Sequence, residues 1–171
     1  MEIAVTQRRQ FLSSALALGL LPGLSWALER PKGKVILTIT GNVERGNAAG
    51  KAEFDMDMLA ALPQHSYTTP TPWYPQERKF TGPLLRDVLA AAGAKGKTLS
   101  AVALNDYKVE LPVEDVQRFE VVLARLLDDK PMPVREKGPL FIIYPFHTDS
   151  SLRSERYYGR CAWQLKTLDV R

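Results

Sequence analysis

The sequence contains few of the residues that build metal centres, disulfides and nucleophilic sites. It has one cysteine, Cys161, and two histidines, His65 and His147. One cysteine excludes an internal disulfide, and neither H-x-x-H nor C-x-x-C spacing occurs, so a zinc-type site has no support. The sequence also lacks the G-x-S-x-G, G-x-G-x-x-G and G-x-x-x-x-G-K patterns. These absences disfavour a serine hydrolase and a nucleotide-binding fold.

Strong charge of one sign is also missing. The formal net charge is +4, and no run of five like charges occurs among the 171 residues. Nucleic acid and anionic membrane are therefore not expected as main partners. The sequence shows no internal repeat and no low-complexity segment.

The first 27 residues have the pattern of a cleaved secretory signal peptide. Arg8 and Arg9 precede an apolar run over residues 11–24, and the small residues Ser25 and Ala27 follow. The paired arginines followed by Gln-Phe-Leu match the twin-arginine export pattern. We therefore expect periplasmic localisation, cleavage near Ala27 and no membrane insertion after processing. The alternative is a retained N-terminal anchor, which Pro22 and its neighbouring glycine disfavour by breaking the helix.

Residues 28–171 are long enough for a single domain with its own core. β-Branched and alternating patterns predict strands over residues 34–41, from residue 51, from residue 65, and over residues 99–105 and 107–112. Further apolar strands are predicted over residues 120–127, 138–146 and 160–170. Short helices are predicted before Pro63, over residues 83–92 with Pro83 in the first turn, and over residues 112–119. The pattern predicts a mixed, strand-dominated α+β fold with short helices.

The segment over residues 65–82 is predicted to begin as a strand and to continue as a long loop. It contains three prolines together with Trp73 and Tyr74. A long ordered loop in a compact domain is often functional, and Trp73 has little core nearby in sequence to cover it. Aromatic rings with nearby polar groups suit a flat, hydrogen-bonding heterocycle, although most single aromatics only pack in the core.

Several stretches together resemble the molybdopterin-binding domain of sulfite-oxidase-like proteins. They are "FTGPLLRDVLAAAG", "NDYKVELPVED", "LARLLDDKPM", "KGPLFIIYP" and "YYGRCAWQLKTLDV", in that order between residues 35 and 170. The resemblance implies a sulfite-oxidase-type fold for residues 28–171.

The resemblance also marks where the chain departs from the enzymes of this family. Their molybdenum-ligating cysteine lies four residues before a frequent tryptophan, and that position is Thr69 here, four residues before Trp73. A hydroxyl cannot supply the soft thiolate that such a metal uses. In the closing motif Arg160 matches an arginine, Cys161 falls on a serine and Trp163 falls near a cofactor-binding lysine. Cys161 is thus expected to be a small strand residue of limited reactivity.

These departures imply a scaffold that keeps a pterin-shaped pocket without the metal chemistry. Small exported relatives resemble free-pterin-binding proteins that report to a membrane-bound sensor. The expected function is therefore non-catalytic, periplasmic binding of a free, metal-less pterin, relayed to the periplasmic domain of a membrane signalling protein. The expected ligand contacts are Thr69, Trp73, Asp106, Tyr107, Tyr144, Arg160 and Trp163.

Six of the seven expected contacts have a specific role in this hypothesis. Trp73 and Trp163 would stack on the ring, Arg160 would bind a ring carbonyl or nitrogen, and Asp106 would accept from the amino edge. Tyr107 or Tyr144 would close the pocket. Two alternatives remain open: a molybdopterin-dependent oxidoreductase of the same family, or a subunit of one, and a protein-interaction module whose pocket is vestigial.

Overall fold

The computed structural model describes residues 28–171, so the predicted signal peptide lies outside the described residues. The described part contains eleven strands and four α-helices. The strands are β1 (Leu37–Gly41), β2 (Ala52–Phe54), β3 (Gln64–Thr69), β4 (Arg78–Pro83), β5 (Thr98–Ala103), β6 (Lys108–Pro112), β7 (Val122–Ala124), β8 (Leu126–Leu127), β9 (Lys130–Pro131), β10 (Phe141–Ile143) and β11 (Leu165–Val170). The helices are α1 (Met56–Ala61), α2 (Leu85–Ala91), α3 (Val113–Arg118) and α4 (Glu155–Tyr158).

The strands form three sheets. The largest has the order β2-β1-β11-β5-β6, and its only parallel pair joins β1 to β11, the first and last strands of the described part. A second sheet has the order β3-β4-β8-β9, and a third joins β10 to β7. The alternating residues Leu37 and Ile39 of β1 are fully buried, as a half-exposed strand requires.

Strand β4 brings the second and third sheets into close contact. A Cβ atom added at Gly82 would overlap the carbonyl oxygen of Leu123 in β7. Glycine is therefore needed where these two backbones approach. The sequence pattern had placed residues 78–81 in the long loop, and the structure instead ends that loop at Arg78, where β4 begins.

The N-cap of α1 forms hydrogen bonds with residues 32–33, near the beginning of the described chain. Asp55 is the N-cap, and its carboxylate accepts hydrogen bonds from the backbone N–H groups of Met58 at 2.9 Å and of Lys32 and Gly33 at 2.8 Å each. Three N–H donors stabilise the charged carboxylate, and this lowers the pKa of Asp55, chiefly through the bond from Met58. Pro63 follows the end of the helix, as predicted.

Two predicted elements have different limits in the structure. Pro83 is the last residue of β4 rather than part of the first turn of α2, whose N-cap is Leu84. The apolar run over residues 120–127 is divided between β7 and β8, which belong to different sheets. The hairpin after β8 turns at Asp128 and Asp129, with φ angles of 48° and 64°, which aspartate tolerates better than most residues.

The closing segment is a continuous strand only from Leu165. Gln164 has a φ of 52°, which interrupts the alternation predicted over residues 160–170. The expectation that Cys161 lies in this strand is therefore wrong, and Cys161 instead lies in an irregular segment of the core. No helix within residues 28–171 is long and apolar enough to cross a membrane.

Candidate functional site

Three aromatic residues from distant parts of the sequence meet around Trp73. The ring centroid of Trp73 lies 5.4 Å from that of Phe141, 5.8 Å from that of Trp163 and 6.0 Å from that of Tyr158. The rings meet at angles of 57–74°, which is the tilted or edge-to-face packing that aromatic pairs favour. These residues are called the Trp73 cluster. The prediction that Trp73 is poorly covered by the core is therefore only half met, because one side of its ring is packed.

The elements that hold the Trp73 cluster are fixed by backbone hydrogen bonds. Trp73 lies in the proline-rich loop 70–77 between β3 and β4. Phe141 begins β10, and it forms an isolated antiparallel bridge with Trp163. The N–H of Ile142 donates to the carbonyl of Ala162 at 2.9 Å. The closing segment thus places Trp163 against β10, where the loop can bring Trp73 to meet it.

A pocket of about 350 Å³ opens beside this cluster. It lies at the lower end of the volume range of small-molecule sites, about 300–1,000 Å³. We call it the aromatic–basic pocket, and its lining residues are Trp73, Tyr74, Arg78, Leu127, Arg135, Glu136 and Lys137. Three basic groups and one acidic group thus surround two aromatic rings.

Cations lie over the rings of this pocket. The Lys137 Nζ is 4.7 Å from the ring centroid of Trp163 and 6.0 Å from that of Tyr74. The Arg78 guanidinium carbon is 5.0 Å from the Tyr74 centroid. Both arrangements lie within the distance of a cation–π contact. Trp163 does not line the aromatic–basic pocket, because Lys137 covers its ring, and Trp73 and Tyr74 form the aromatic wall.

The end of β3 and the loop that follows it carry three buried hydroxyl groups. The side-chain oxygens of Thr69, Thr71 and Tyr74 are inaccessible to solvent, and none has a hydrogen-bond partner within residues 28–171. Thr69 is itself fully buried at the end of β3. An unsatisfied buried hydroxyl costs about 1–3 kcal/mol. Burial raises the pKa of Tyr74, so its hydroxyl stays protonated at neutral pH and can donate a hydrogen bond.

The donor set does not fit a thiolate-ligated molybdenum. Thr69 offers a hydroxyl at the position where the family resemblance expects the ligating cysteine. Cys161 lies elsewhere, 3% exposed, with its thiol donating to the carbonyl of Tyr157 at 3.5 Å. Burial raises the pKa of the Cys161 thiol, which keeps it protonated. In the described part of the chain, no group of three or more His, Cys, Asp or Glu side chains is placed to hold a metal ion.

Arg160 and Tyr144 belong to a buried hydrogen-bond network instead of the pocket wall. The Oδ2 atom of Asp115 accepts from the Arg160 guanidinium at 2.5 Å and from the Tyr144 hydroxyl at 2.8 Å. Tyr144 is fully buried, and burial together with the bond to Asp115 raises its pKa. The network joins α3 to the segment that follows β10 and to the closing segment. Neither Arg160 nor Tyr144 is among the residues that line the aromatic–basic pocket.

Asp106 and Tyr107 form the turn between β5 and β6. The Oδ1 atom of Asp106 accepts from Lys166 at 3.1 Å, and its side chain is 81% exposed. Tyr107 is 56% exposed. Of the expected ligand contacts, Trp73 lines the aromatic–basic pocket and Trp163 packs against it. The residues that do not line the pocket are Thr69, Asp106, Tyr107, Tyr144 and Arg160.

Sequence reasoning missed six of the seven residues that line the pocket, namely Tyr74, Arg78, Leu127, Arg135, Glu136 and Lys137. Tyr74 occupies the same proline-rich loop as Trp73 and Arg78 begins β4 directly after it, so the loop itself is the signal that could identify them. Arg135 and Lys137 lie in a short turn just before Gly138, where no spacing or motif distinguishes them from surface residues. Only the tertiary structure brings that turn to the Trp73 loop.

Comparison with known proteins establishes the fold. No protein-family model and no curated protein matches the sequence. Solved structures do match, among them the crystal structure of the sulfane dehydrogenase SoxCD from Paracoccus pantotrophus, with 21% sequence identity and a TM-score of 0.59. The match covers 78% of this chain and 37% of that one. The predicted fold class, a mixed, strand-dominated α+β fold of the sulfite-oxidase type with short helices, is confirmed.

Proposed function

We propose that this protein binds a free pterin, or a similar flat heterocycle, in the aromatic–basic pocket and catalyses no reaction. One observation carries the proposal. Trp73 and Tyr74 form the aromatic wall of the pocket, and within residues 28–171 the buried hydroxyl of Tyr74 has no hydrogen-bond partner. A flat ring edged with hydrogen-bonding groups would supply a stacking partner for this wall and a polar partner for that hydroxyl.

The roles of the pocket residues follow from their chemistry. The rings of Trp73 and Tyr74 offer faces on which a heterocycle can stack, and such aromatic contacts favour offset geometry. The hydroxyl of Tyr74, the one of the three buried hydroxyls whose residue lines the pocket, can donate or accept a hydrogen bond along the edge of the ligand. Pairing it with a ligand removes a cost that the folded protein otherwise bears. Ligand binding is therefore expected to stabilise the fold.

Two features support a metal-free pterin over molybdopterin. Thr69 presents a hydroxyl where a thiolate would be required, and the one thiol of the chain is buried and bonded to a backbone carbonyl. A second candidate function, a molybdopterin-dependent oxidoreductase or its subunit, is favoured by the fold shared with a sulfane dehydrogenase. Stoichiometric molybdenum in protein purified from a host that makes the cofactor would support that second function.

Periplasmic export and relay of the ligand state to a membrane sensor form part of the same proposal. Export is supported by Arg8, Arg9 and the apolar run after them. Replacement of both arginines by lysine should retain the protein in the cytoplasm, and periplasmic recovery of that variant would contradict twin-arginine export. The relay is supported by the family resemblance alone. It predicts that a sensor's periplasmic domain is captured from membranes only when the pterin is present.

The binding proposal is tested by titrating the purified protein with 6-hydroxymethylpterin and following quenching of the pterin fluorescence. Tyr74→Phe removes one pocket hydroxyl and keeps the ring, and it should weaken binding about fivefold, as expected for the loss of one hydrogen bond of ordinary strength. Tyr107→Phe is the matched control, because Tyr107 does not line the pocket. The affinity of this variant for 6-hydroxymethylpterin should equal that of the wild type. Absence of saturable binding to the wild-type protein would overturn the proposal.

A further inference from the structure

We propose that Lys137 makes the aromatic–basic pocket selective for a flat ring that carries a negatively charged substituent, such as a carboxylate or a phosphate. This inference rests on the proposed function and specifies the ligand class of the same site. It concerns a residue that the sequence pattern did not single out.

The charges of the pocket leave one cation without a carboxylate. Arg78 is paired with Asp128, with 2.6 Å between its Nε and Oδ2, and Arg135 faces its neighbour Glu136 at 3.6 Å. Within residues 28–171, no carboxylate lies within ion-pair distance of Lys137. The pocket therefore has a surplus positive charge, and this charge is located on Lys137.

The position of Lys137 places that charge against the surfaces that a ring would use. Its ammonium lies over Trp163 and near Tyr74, and its side chain is partly buried. An ion pair formed between aromatic walls is screened less than one formed in open water. A ring stacked on Trp73 or Tyr74 would bring a charged substituent to this ammonium. A neutral ring would have to fit beside the Lys137 ammonium, or displace it, and would form no ion pair with it.

The backbone at Lys137 has a left-handed conformation, which is unfavourable for a residue other than glycine. Lys137 has a φ of 74°, and Gln164, next to Trp163, has a φ of 52°. The two are joined, because the Gln164 N–H donates to the Lys137 carbonyl at 3.0 Å. The Gln164 side chain also donates to the carbonyl of Val134 at 2.7 Å. Left-handed conformations at non-glycine residues are disfavoured and concentrate at binding sites, which agrees with a functional lysine at this turn.

The test compares two pterins that share the ring and differ in charge, 6-carboxypterin and 6-hydroxymethylpterin, by fluorescence titration at low ionic strength. The wild-type protein should bind 6-carboxypterin about tenfold more tightly, as a charge-assisted contact at a partly exposed site allows. Lys137→Met keeps most of the length of the side chain without its charge and should reduce this preference to less than about twofold. Lys137→Arg should retain it. Added salt should weaken it in the wild type.

Lys95→Met is the matched control, because Lys95 is exposed, is paired with Glu44 and does not line the pocket. It should keep the wild-type preference, and thermal unfolding of each variant verifies that it is folded. Equal affinity of the wild type for the two pterins, or tighter binding of both to Lys137→Met, would overturn this inference while the proposed function stands. Failure of the wild type to bind either pterin would overturn the proposed function, and this inference with it.

Discussion

Trp73 and Trp163 are far apart in the sequence, and the fold brings their ring centroids to 5.8 Å at an angle of 68°. The contact joins the proline-rich loop to the closing segment, with Phe141 touching both rings. The wall of the proposed binding pocket is thus continuous with the hydrophobic core. Substitutions at this wall are expected to change stability as well as binding, so stability and ligand affinity must be measured separately for each variant.

Trp73→Ala should lower the free energy of unfolding by about 2–3 kcal/mol. This is somewhat less than the loss expected when a fully buried tryptophan is replaced by alanine, because the Trp73 ring is only partly buried. It removes the contacts to Phe141, Tyr158 and Trp163. Urea denaturation measures the change. Tyr107→Ala, at an exposed turn, is the control and should change stability by less than about 0.5 kcal/mol. Equal stability of the two variants would show that the Trp73 cluster is not formed.

Asp115→Ala should lower the free energy of unfolding by about 3 kcal/mol, because it leaves the Arg160 guanidinium buried without its partner and the Tyr144 hydroxyl without its acceptor. The side chains of Arg160 and Asp115 are only 16% and 10% exposed. Tyr144→Phe should cost about 1 kcal/mol, since Asp115 keeps its bond to Arg160. Denaturant unfolding of both variants tests this order.

The double variant Asp115→Ala/Arg160→Met provides the control for this network. It removes both charges, so its destabilisation should be smaller than the sum of the two single changes. Strict additivity would contradict direct coupling between Asp115 and Arg160. Binding of 6-hydroxymethylpterin should persist in every variant that folds, because neither residue lines the pocket.

The Cys161 thiol should react with a disulfide reagent far more slowly in the folded protein than in the unfolded protein. Burial raises its pKa, and the thiolate is the reactive form. Labelling at pH 8 in buffer and in concentrated urea compares the two states, with the unfolded rate as the internal control. A folded-state rate equal to the unfolded one would mean that Cys161 is accessible and ionised.

The pH dependence of stability should depend in part on Asp55. Its pKa is lowered in the folded state, so its carboxylate stabilises the fold above the unfolded aspartate value of 3.8, and this contribution is lost as the pH falls through the lowered value. Asp55→Asn removes the titration. The stability difference between wild type and variant should therefore be largest at neutral pH and shrink below pH 3.8. A difference that is constant with pH would contradict this role.

The elements set by local pattern were largely predictable from the sequence. The strand that becomes β1, the α1 helix before Pro63 and the pair β5 and β6 follow from alternation and turn residues. Elements that depend on distant partners were not. The sequence predicts a loop where β4 lies, because three prolines precede it in the same segment, and the ladder of β4 exists only through β3 and β8.

The candidate site was predictable only where its residues share the Trp73 loop. The proline-rich loop indicates Trp73 and the family resemblance indicates Thr69, whereas Lys137 carries no local signal. The sequence also predicts that Trp163 faces a ligand. In the structure the left-handed backbone at Gln164 interrupts the strand alternation next to Trp163, and Lys137 covers the Trp163 ring. The sequence predicts ligand contacts for Arg160 and Tyr144, and no motif indicates Asp115. In the structure the Asp115 carboxylate accepts hydrogen bonds from both residues.

Native mass spectrometry tests the central claim most directly, on protein made by a host that synthesises both pterins and the molybdenum cofactor, before and after addition of excess 6-hydroxymethylpterin. We expect ions heavier by one metal-free pterin per chain, and we expect Trp73→Leu to lose that adduct while Tyr107→Leu keeps it. A molybdenum-containing adduct, or wild-type protein that stays free of pterin after the addition, would contradict the account.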